Sequence, residues 1–439
     1  MKPFHLFLFS LFTALTLHAE HDERAIGDEP PVPPTGQLPL LEVTRNVLTT
    51  NPSIKSARAK WAMMKERVPQ ARAWDDPMAG ADFERTGTTR PDTFSDIEYV
   101  VSQTIPLTGK NLTRARADSA EALATLEELR RTELDKVMAA RAAYYKLANA
   151  WQQLEINQHN LALLRDFAEI SRTRYQVGTQ TQSDVLLAET DLARLMEARV
   201  DILREISDQQ SALNVLMNRP ARSALGRPAA LSFNQLNLEA DKVEALALEN
   251  RPEIGMAGNK IDAEKARLQL ARRQWIPDPQ VRIEARQYNG HPGIREYDTG
   301  VFFNVPWVNF SKYSAGVREA QQSVERTSRD YEGTRAETLG LVRDQLKKVT
   351  TFAHHYELFR DKILPLAEQS VQTGRTSYES AKSDFLTLIT ARRTLQDVES
   401  MFWNHLAEHE IAVAELEAIV GTDLRRTART AVKTKDLSK

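Results

Sequence analysis

The spacing of apolar residues changes twice along the first half of the chain, and each change marks a different element. From Leu38 to about Trp74 apolar positions recur at helical spacing, with breaks predicted near Asn51-Pro52 and Pro69. The period then drops to two. Ala79, Ala81 and Phe83 alternate with Gly80, Asp82 and Glu84, and Ile97, Tyr99, Val101 and Ile105 oppose Glu98, Ser102 and Thr104. These runs predict strands over about 78–86 and 96–105, joined by the polar loop Thr86–Ser95 as a β-hairpin. Between Gly109 and Gly178 there is neither Gly nor Pro, which predicts one helix of about 65 residues and roughly 100 Å. Arg174-Tyr-Gln-Val-Gly178-Thr-Gln-Thr-Gln182 reads as a turn. Ser183 and Asp184, as N-cap residues, open a second proline-free helix running to about Asn218. The two helices form an antiparallel hairpin.

The second half repeats this order at an offset of 200 residues. Asn51-Pro52-Ser53-Ile54 returns as Arg251-Pro252-Glu253-Ile254. Ala71-Arg72, Trp74 and Asp76-Pro77 return as Ala271-Arg272, Trp275 and Asp278-Pro279, and Ser102–Pro106 aligns with Phe302–Pro306. Tyr175–Gly178 aligns with Tyr378–Ala381 at an offset of 203. The second hairpin is predicted from strands at about 280–288 and 297–305, with Val281, Ile283, Ala285, Val301, Phe303 and Val305 alternating with polar neighbours. The second helical arm is predicted over Lys312–Thr373, interrupted by Gly316, Gly333, Gly340 and Pro365, with its return over Asp384–Val420. Val185, Leu192, Leu195 and Ile202 fall near heptad spacing, a packing seam rather than a ligand stripe. The repeat is too long for a solenoid, whose units run to about 20–50 residues.

Composition then narrows the possibilities. Residues 1–19 read as a cleavable export signal and 20–37 as a proline-rich linker. The first repeat is placed at 38–220, a connector at 221–240, the second repeat at 241–422 and a basic tail at 423–439. The net charge of −2 gives no sign of a nucleic-acid partner. The absence of cysteine excludes disulfides, thiol catalysis and lipid attachment at an N-terminal cysteine. No segment after the signal has a run of about 18 apolar residues, so a membrane could be entered only by strands. Four strands cannot close a barrel, and open edges are not tolerated in lipid. The expected fold is therefore mainly α with a small β part. Three copies would complete a transmembrane barrel of twelve strands, continuous with a long α-helical barrel.

With Ser102-Gln-Thr-Ile-Pro-Leu-Thr-Gly-Lys110 closing the second strand and Arg174–Leu186 at the helical tip, the chain resembles the TolC-type outer-membrane efflux family over its mature length. The Pro-Leu-Thr-Gly-Lys variant is most similar to the CusC- and CzcC-type heavy-metal branch. The resemblance implies a homotrimer in outer-membrane lipid whose periplasmic tunnel docks an adaptor (membrane fusion) protein and an inner-membrane pump of the RND or another class. It places Val177, Gly178, Thr179 and Ala381 at the adaptor contact, and Asp184, Tyr378, Ser383, Asp384, Thr387 and Thr390 at the periplasmic gate. Ser383 stands where a relative has arginine, and Thr387 and Thr390 stand where pore-constricting aspartates are expected, so the usual latch is in doubt. Asp384 is open to two readings, a negative ring or a solvated N-cap. Gly178 also has two compatible readings, a left-handed helix end and a close backbone contact.

Candidate chemistry is sparse. His405 and His409 stand four apart on a helix, but without a third ligand, and adjacent His354 and His355 diverge on a helix. No metal site, cofactor or catalytic constellation is expected, and the protein is read as no enzyme. Trp74, Trp275, Tyr297 and Trp307 flank strand ends, as bilayer-interface aromatics or as junction packing. The competing reading of the whole chain is a soluble periplasmic adaptor or scaffold of an export complex.

Overall fold

The computed structural model describes residues 36–85, 95–178, 181–236, 239–380 and 382–425. The export signal, nearly all of the linker, the 86–94 loop, Thr179, Ala381 and the tail beyond Arg425 lie outside the described residues.

The first half starts with the two-residue strand β1 (Gln37–Leu38), then α1 (Leu40–Thr50) and α2 (Pro52–Arg72). Asn51 separates the two helices. Its Oδ1 accepts hydrogen bonds from Ser53 N at 2.9 Å and Ile54 N at 3.3 Å, while Pro52 takes the first helical position, where a missing N–H matters least. The expected break at Pro69 does not occur: α2 runs through it to Arg72. Proline there sits in the last turn, where little helix remains to be disrupted. Strands β2 (Met78–Glu84) and β3 (Asp96–Thr104) follow, then α3 (Lys110–Gln176) and α4 (Gln182–Leu216). The 67 residues of α3 make a rod of roughly 100 Å. Thr181, not Ser183 or Asp184, is the N-cap of α4. Its hydroxyl accepts Asp184 N, and the Asp184 carboxylate accepts Thr181 N, both at 3.3 Å. Asp184 is thus the third helical residue of a capping box, which satisfies two otherwise orphaned donors.

Strand β4 (Arg227–Pro228) pairs in parallel with β1 and opens the second half. It continues with α5 (Ala240–Asn250), α6 (Pro252–Arg273), β5 (Pro279–Tyr288), β6 (Glu296–Phe303), α7 (Phe310–Leu358), α8 (Leu364–Glu379) and α9 (Phe385–Val420). Gly316, Gly333 and Gly340 do not interrupt α7, correcting the sequence expectation. Each glycine costs a helix about 1 kcal/mol, which packing along an arm of this length overrides. The one irregularity is a π-helical turn at Phe359–Ile363, just before Pro365, where Leu364 N donates to Phe359 O. The arm therefore has stretches of 49, 5 and 16 residues, three residues more than α3.

Apolar packing is distributed along the rods rather than gathered in one centre. Val43, Val47, Ile54, Leu147, Ile206 and Leu213 join α1–α4, and Val243, Val342, Leu416 and Val420 join α5, α7 and α9. Near the tip Leu161, Leu164, Ala188, Leu195, Phe385 and Ile389 bind the two hairpins to each other. Where α9 crosses α3, Arg141 pairs with Glu417 and Arg425 with Glu410. Burial pushes the Glu417 carboxyl up. Burial also opposes ionisation of Glu410, but His409 and Arg425 hold that carboxyl below its ordinary value.

Candidate functional site

The four longer strands form one antiparallel sheet in the order β2-β3-β5-β6, so the two hairpins of the repeat are joined edge to edge. The register aligns the alternation of all four. Ala81, Tyr99, Ala285 and Tyr297 lie in one row across the sheet, and Ala79, Val101, Ile283 and Thr299 lie in the next. The opposite face carries Asp82, Glu98, Arg286 and Glu296 in one row and Gly80, Val100, Glu284 and Asp298 in another. One face is thus apolar and open: Phe83, Tyr99, Val101, Ile283, Tyr297, Val301 and Phe303 are exposed large hydrophobics. The other is charged and cross-linked, with Arg286 3.7 Å from Glu98 and Arg282 paired with Glu284. A one-residue slip would exchange the faces, so the register itself fixes which side meets apolar surroundings.

The Pro106–Lys110 segment, where the sheet passes into α3, acts as a clamp between the halves. Thr108 Oγ1 donates to Asp278 Oδ1 at 2.9 Å, and Lys110 Nζ donates to Asp278 Oδ2 at 2.7 Å and to Ile276 O at 2.6 Å. Gly109 has a left-handed φ of +66°, and its carbonyl accepts Arg273 Nη1 at 2.8 Å. The Lys110–Asp278 pair is largely buried, where a charged hydrogen bond contributes more than it does on the surface. The side chains of this motif are committed to the junction.

At the far end, α3 closes on Val177 and Gly178. Val177 is 69% exposed, and Gly178 adopts a φ of +75°, with nothing within 4 Å of where a Cβ would stand. Arg174 lies over the Tyr378 ring at 4.8 Å, and Tyr378 packs on Phe385, so the two hairpin tips touch through their side chains. Asp384 is the N-cap of α9, accepting Thr387 N at 2.9 Å. The Thr387 hydroxyl, first, and its backbone N–H hold the Asp384 carboxyl below its ordinary pKa, so this exposed carboxylate stays ionised. Thr390 bonds back to Leu386 O at 2.8 Å, and the Ser383 hydroxyl is buried with no partner among the described residues. Asp184 is occupied by its capping box.

The pairs that join the hairpins most firmly near this end are ones the sequence did not single out. Arg393 of α9 holds Asp191 of α4 through two hydrogen bonds, one of 2.7 Å, and Asp191 is buried. Its neighbour Arg392 reaches α3 at Asn160 and is also buried; burial pushes its pKa down. The doublet Arg392-Arg393 beside the apolar Leu388-Ile389 was the available signal.

The same family model, described as outer membrane efflux protein, matches residues 43–219 and again residues 244–422. The chain belongs to this family. The probable efflux pump outer membrane protein SepC of Pseudomonas putida is 22% identical over 335 residues, covering 73% of this chain and 68% of that protein. VceC, an outer membrane protein of Vibrio cholerae, superposes with a TM-score of 0.75 at 18% identity, covering 88% of this chain and 96% of its own. CusC superposes with the same TM-score at 15% identity, covering 88% and 92%. The expected mainly helical fold with a small β part, and its internal duplication, are thus found. The protein is an outer membrane efflux channel, and the family is one of channels rather than enzymes.

The remaining residues of this efflux protein divide by environment. Trp74, Tyr297 and Trp307 are exposed, whereas Trp275 packs on Phe310 at 5.2 Å and on Tyr313 at 5.7 Å. His409 is buried against Glu410, and His354 lies exposed. His405 instead meets His355 of α7. Burial, and then the neighbouring His355, push the His405 pKa down. No group of three or more His, Cys, Asp or Glu able to hold a metal occurs among the described residues, and no described helix is long and apolar enough to cross a membrane.

Proposed function

We propose that three copies of this chain close a passive exit duct through the outer membrane, with β6 of each copy pairing to β2 of the next. The supporting observation is the register-locked apolar face on a sheet whose two outer strands have no partner of their own among the described residues. Unpaired backbone groups cannot face hydrocarbon, so such a sheet must be closed by further copies. Four strands alternating in direction leave β2 and β6 antiparallel, so successive copies continue one antiparallel barrel. The charged face then lines a wet lumen. A soluble adaptor would leave the apolar row exposed to water without function. The chain reaches the membrane with its N-terminal signal removed, its helical arms stand in the periplasm, and the duct is no enzyme.

In this reading the helical tips form the periplasmic entrance. Val177, Gly178, Thr179 and Ala381 meet an adaptor that couples the duct to an inner-membrane pump. The gate is held by Arg393–Asp191 and Arg174–Tyr378, with ionised Asp384 close by. The heavy-metal substrate rests on the Pro106–Lys110 resemblance, whose side chains serve the junction, and the likeness to CusC is no greater than that to VceC. Mild-detergent extraction of outer membranes, followed by mass measurement, tests the assembly: a trimer is expected, and a soluble monomer overturns it. Zinc, copper, cobalt and silver tolerance of a strain lacking the protein tests the substrate. Unchanged tolerance removes the metal-cation assignment while leaving the duct intact.

A further inference from the structure

The sequence offers four histidines as two local pairs, and the structure makes a different pair from them. His355, in the last turns of α7, and His405, on α9, bring their rings to 5.0 Å between centroids at an interplanar angle of 57°. Phe359 stands 4.8 Å from the His405 ring, and Phe352 flanks both histidines at 6.4 and 6.5 Å. The wall is apolar, yet His355 Nδ1 is shut from water and has no hydrogen-bond partner among the described residues. A buried polar atom without a partner costs about 1–3 kcal/mol, and plain aromatic packing does not relieve that. The π-helical turn at Phe359–Ile363 begins four residues after His355, and such turns recur at functional sites.

The ring separation fits a shared ligand. A metal ion bound at about 2.0–2.1 Å from an imidazole nitrogen lies roughly 3.2 Å from that ring's centroid. Two such arms span the observed 5.0 Å when they subtend about 105° at the ion, close to a tetrahedral angle. We infer that His355 and His405 form a two-histidine site for a borderline divalent transition-metal cation, with water filling its remaining positions from the side of the half-buried His405. Imidazole donors favour copper(II) over zinc(II) and nickel(II) by the usual affinity order. With only two protein ligands the ion exchanges rather than staying resident. It would clamp α7 to α9 beside the irregular turn, whatever the duct carries.

The tag-free, detergent-extracted channel is titrated with copper(II) alone and then with zinc(II) alone, and the copper form is read by electron paramagnetic resonance. One copper per chain is expected, with hyperfine structure from two nitrogens and a rise in thermal stability. His355→Phe and His405→Phe should each weaken copper binding by about tenfold or more, and exposed His354→Phe should not. Where a phenylalanine variant fails to assemble, His355→Asn and the wild-type spectrum decide. A spectrum without paired nitrogens, or copper affinity unchanged by His355→Asn, overturns the site and leaves an aromatic packing contact.

Discussion

Arg393 of α9 and Asp191 of α4 form a two-point ion pair that ties one helical hairpin of the repeat to the other. Asp191 is buried and Arg393 is partly open, so the pair behaves as a clasp with one side in water. Replacing Arg393 by Gln leaves the buried Asp191 carboxylate with the more distant Arg194, 3.7 Å away, as its remaining counter-charge among the described residues, at a cost of about 2 kcal/mol. The expected outcome is a looser tip, seen as higher single-channel conductance in planar bilayers. Asp191→Asn with Arg393→Gln should recover part of the stability but not the closed conductance. A conductance unchanged in both variants would remove the pair from the gate.

Gly178 separates two roles that one residue can serve together. Its left-handed φ disfavours side-chain-bearing residues by about 1–2 kcal/mol, but least for Asn. Gly178→Val should weaken both the helix end and adaptor attachment. Gly178→Asn should keep the channel's melting temperature near wild type. If cross-linking to the adaptor still falls in the Asn variant, close backbone approach is the requirement; full cross-linking would reduce Gly178 to a helix terminator.

The two faces of the sheet predict opposite responses to the same kind of change. Ile283→Arg places a cation on the apolar row, at about 2–4 kcal/mol near the middle of a bilayer. Loss of assembled, heat-resistant oligomer in the outer membrane is expected. Arg282→Ala, one residue away and on the charged face, should assemble normally and alter ion selectivity. Equal loss in both would mean that the alternation does not mark lipid and lumen.

His405 gives a pH dependence with a defined sign. Its folded pKa lies below the ordinary 6.5, so between the two values the unfolded chain binds more protons than the folded one. Stability should therefore fall as pH drops below about 6.5, and the fall should stop once the folded pKa is passed. In metal-free buffer, the melting temperature of wild type should fall relative to that of His405→Phe between pH 8 and pH 5, as rough bounds around that window. A constant difference across the range would contradict the shift.

What could be read from the sequence were the features that rest on neighbours in the chain. The alternation at Ala79–Phe83 and Val281–Ala285 needs only a period of two, and Asn51-Pro52 carries both its own cap and its own start. Errors arose where length or distance decides. Pro69 and the glycines of α7 look like breaks locally, but long rods with continuous packing carry them. Thr181 outcompeted Ser183 and Asp184 because a capping box needs the hydroxyl three residues ahead of the carboxylate. Thr108 and Lys110 meeting Asp278, and Arg393 meeting Asp191, join residues far apart in the chain, so no local pattern announces them.

The three residues by which the second long arm exceeds α3 do not make a whole turn of helix, at 3.6 residues per turn. Sister side chains in phase at the sheet would need a whole number of extra turns to stay in phase at the tips, and three residues do not supply one. In the proposed duct the two hairpins would meet the membrane as equivalents and the periplasm as distinct objects. For the proposed adaptor, each chain would then offer two unlike seats rather than one seat twice, and the pseudo-symmetry of the wall would end at the tips.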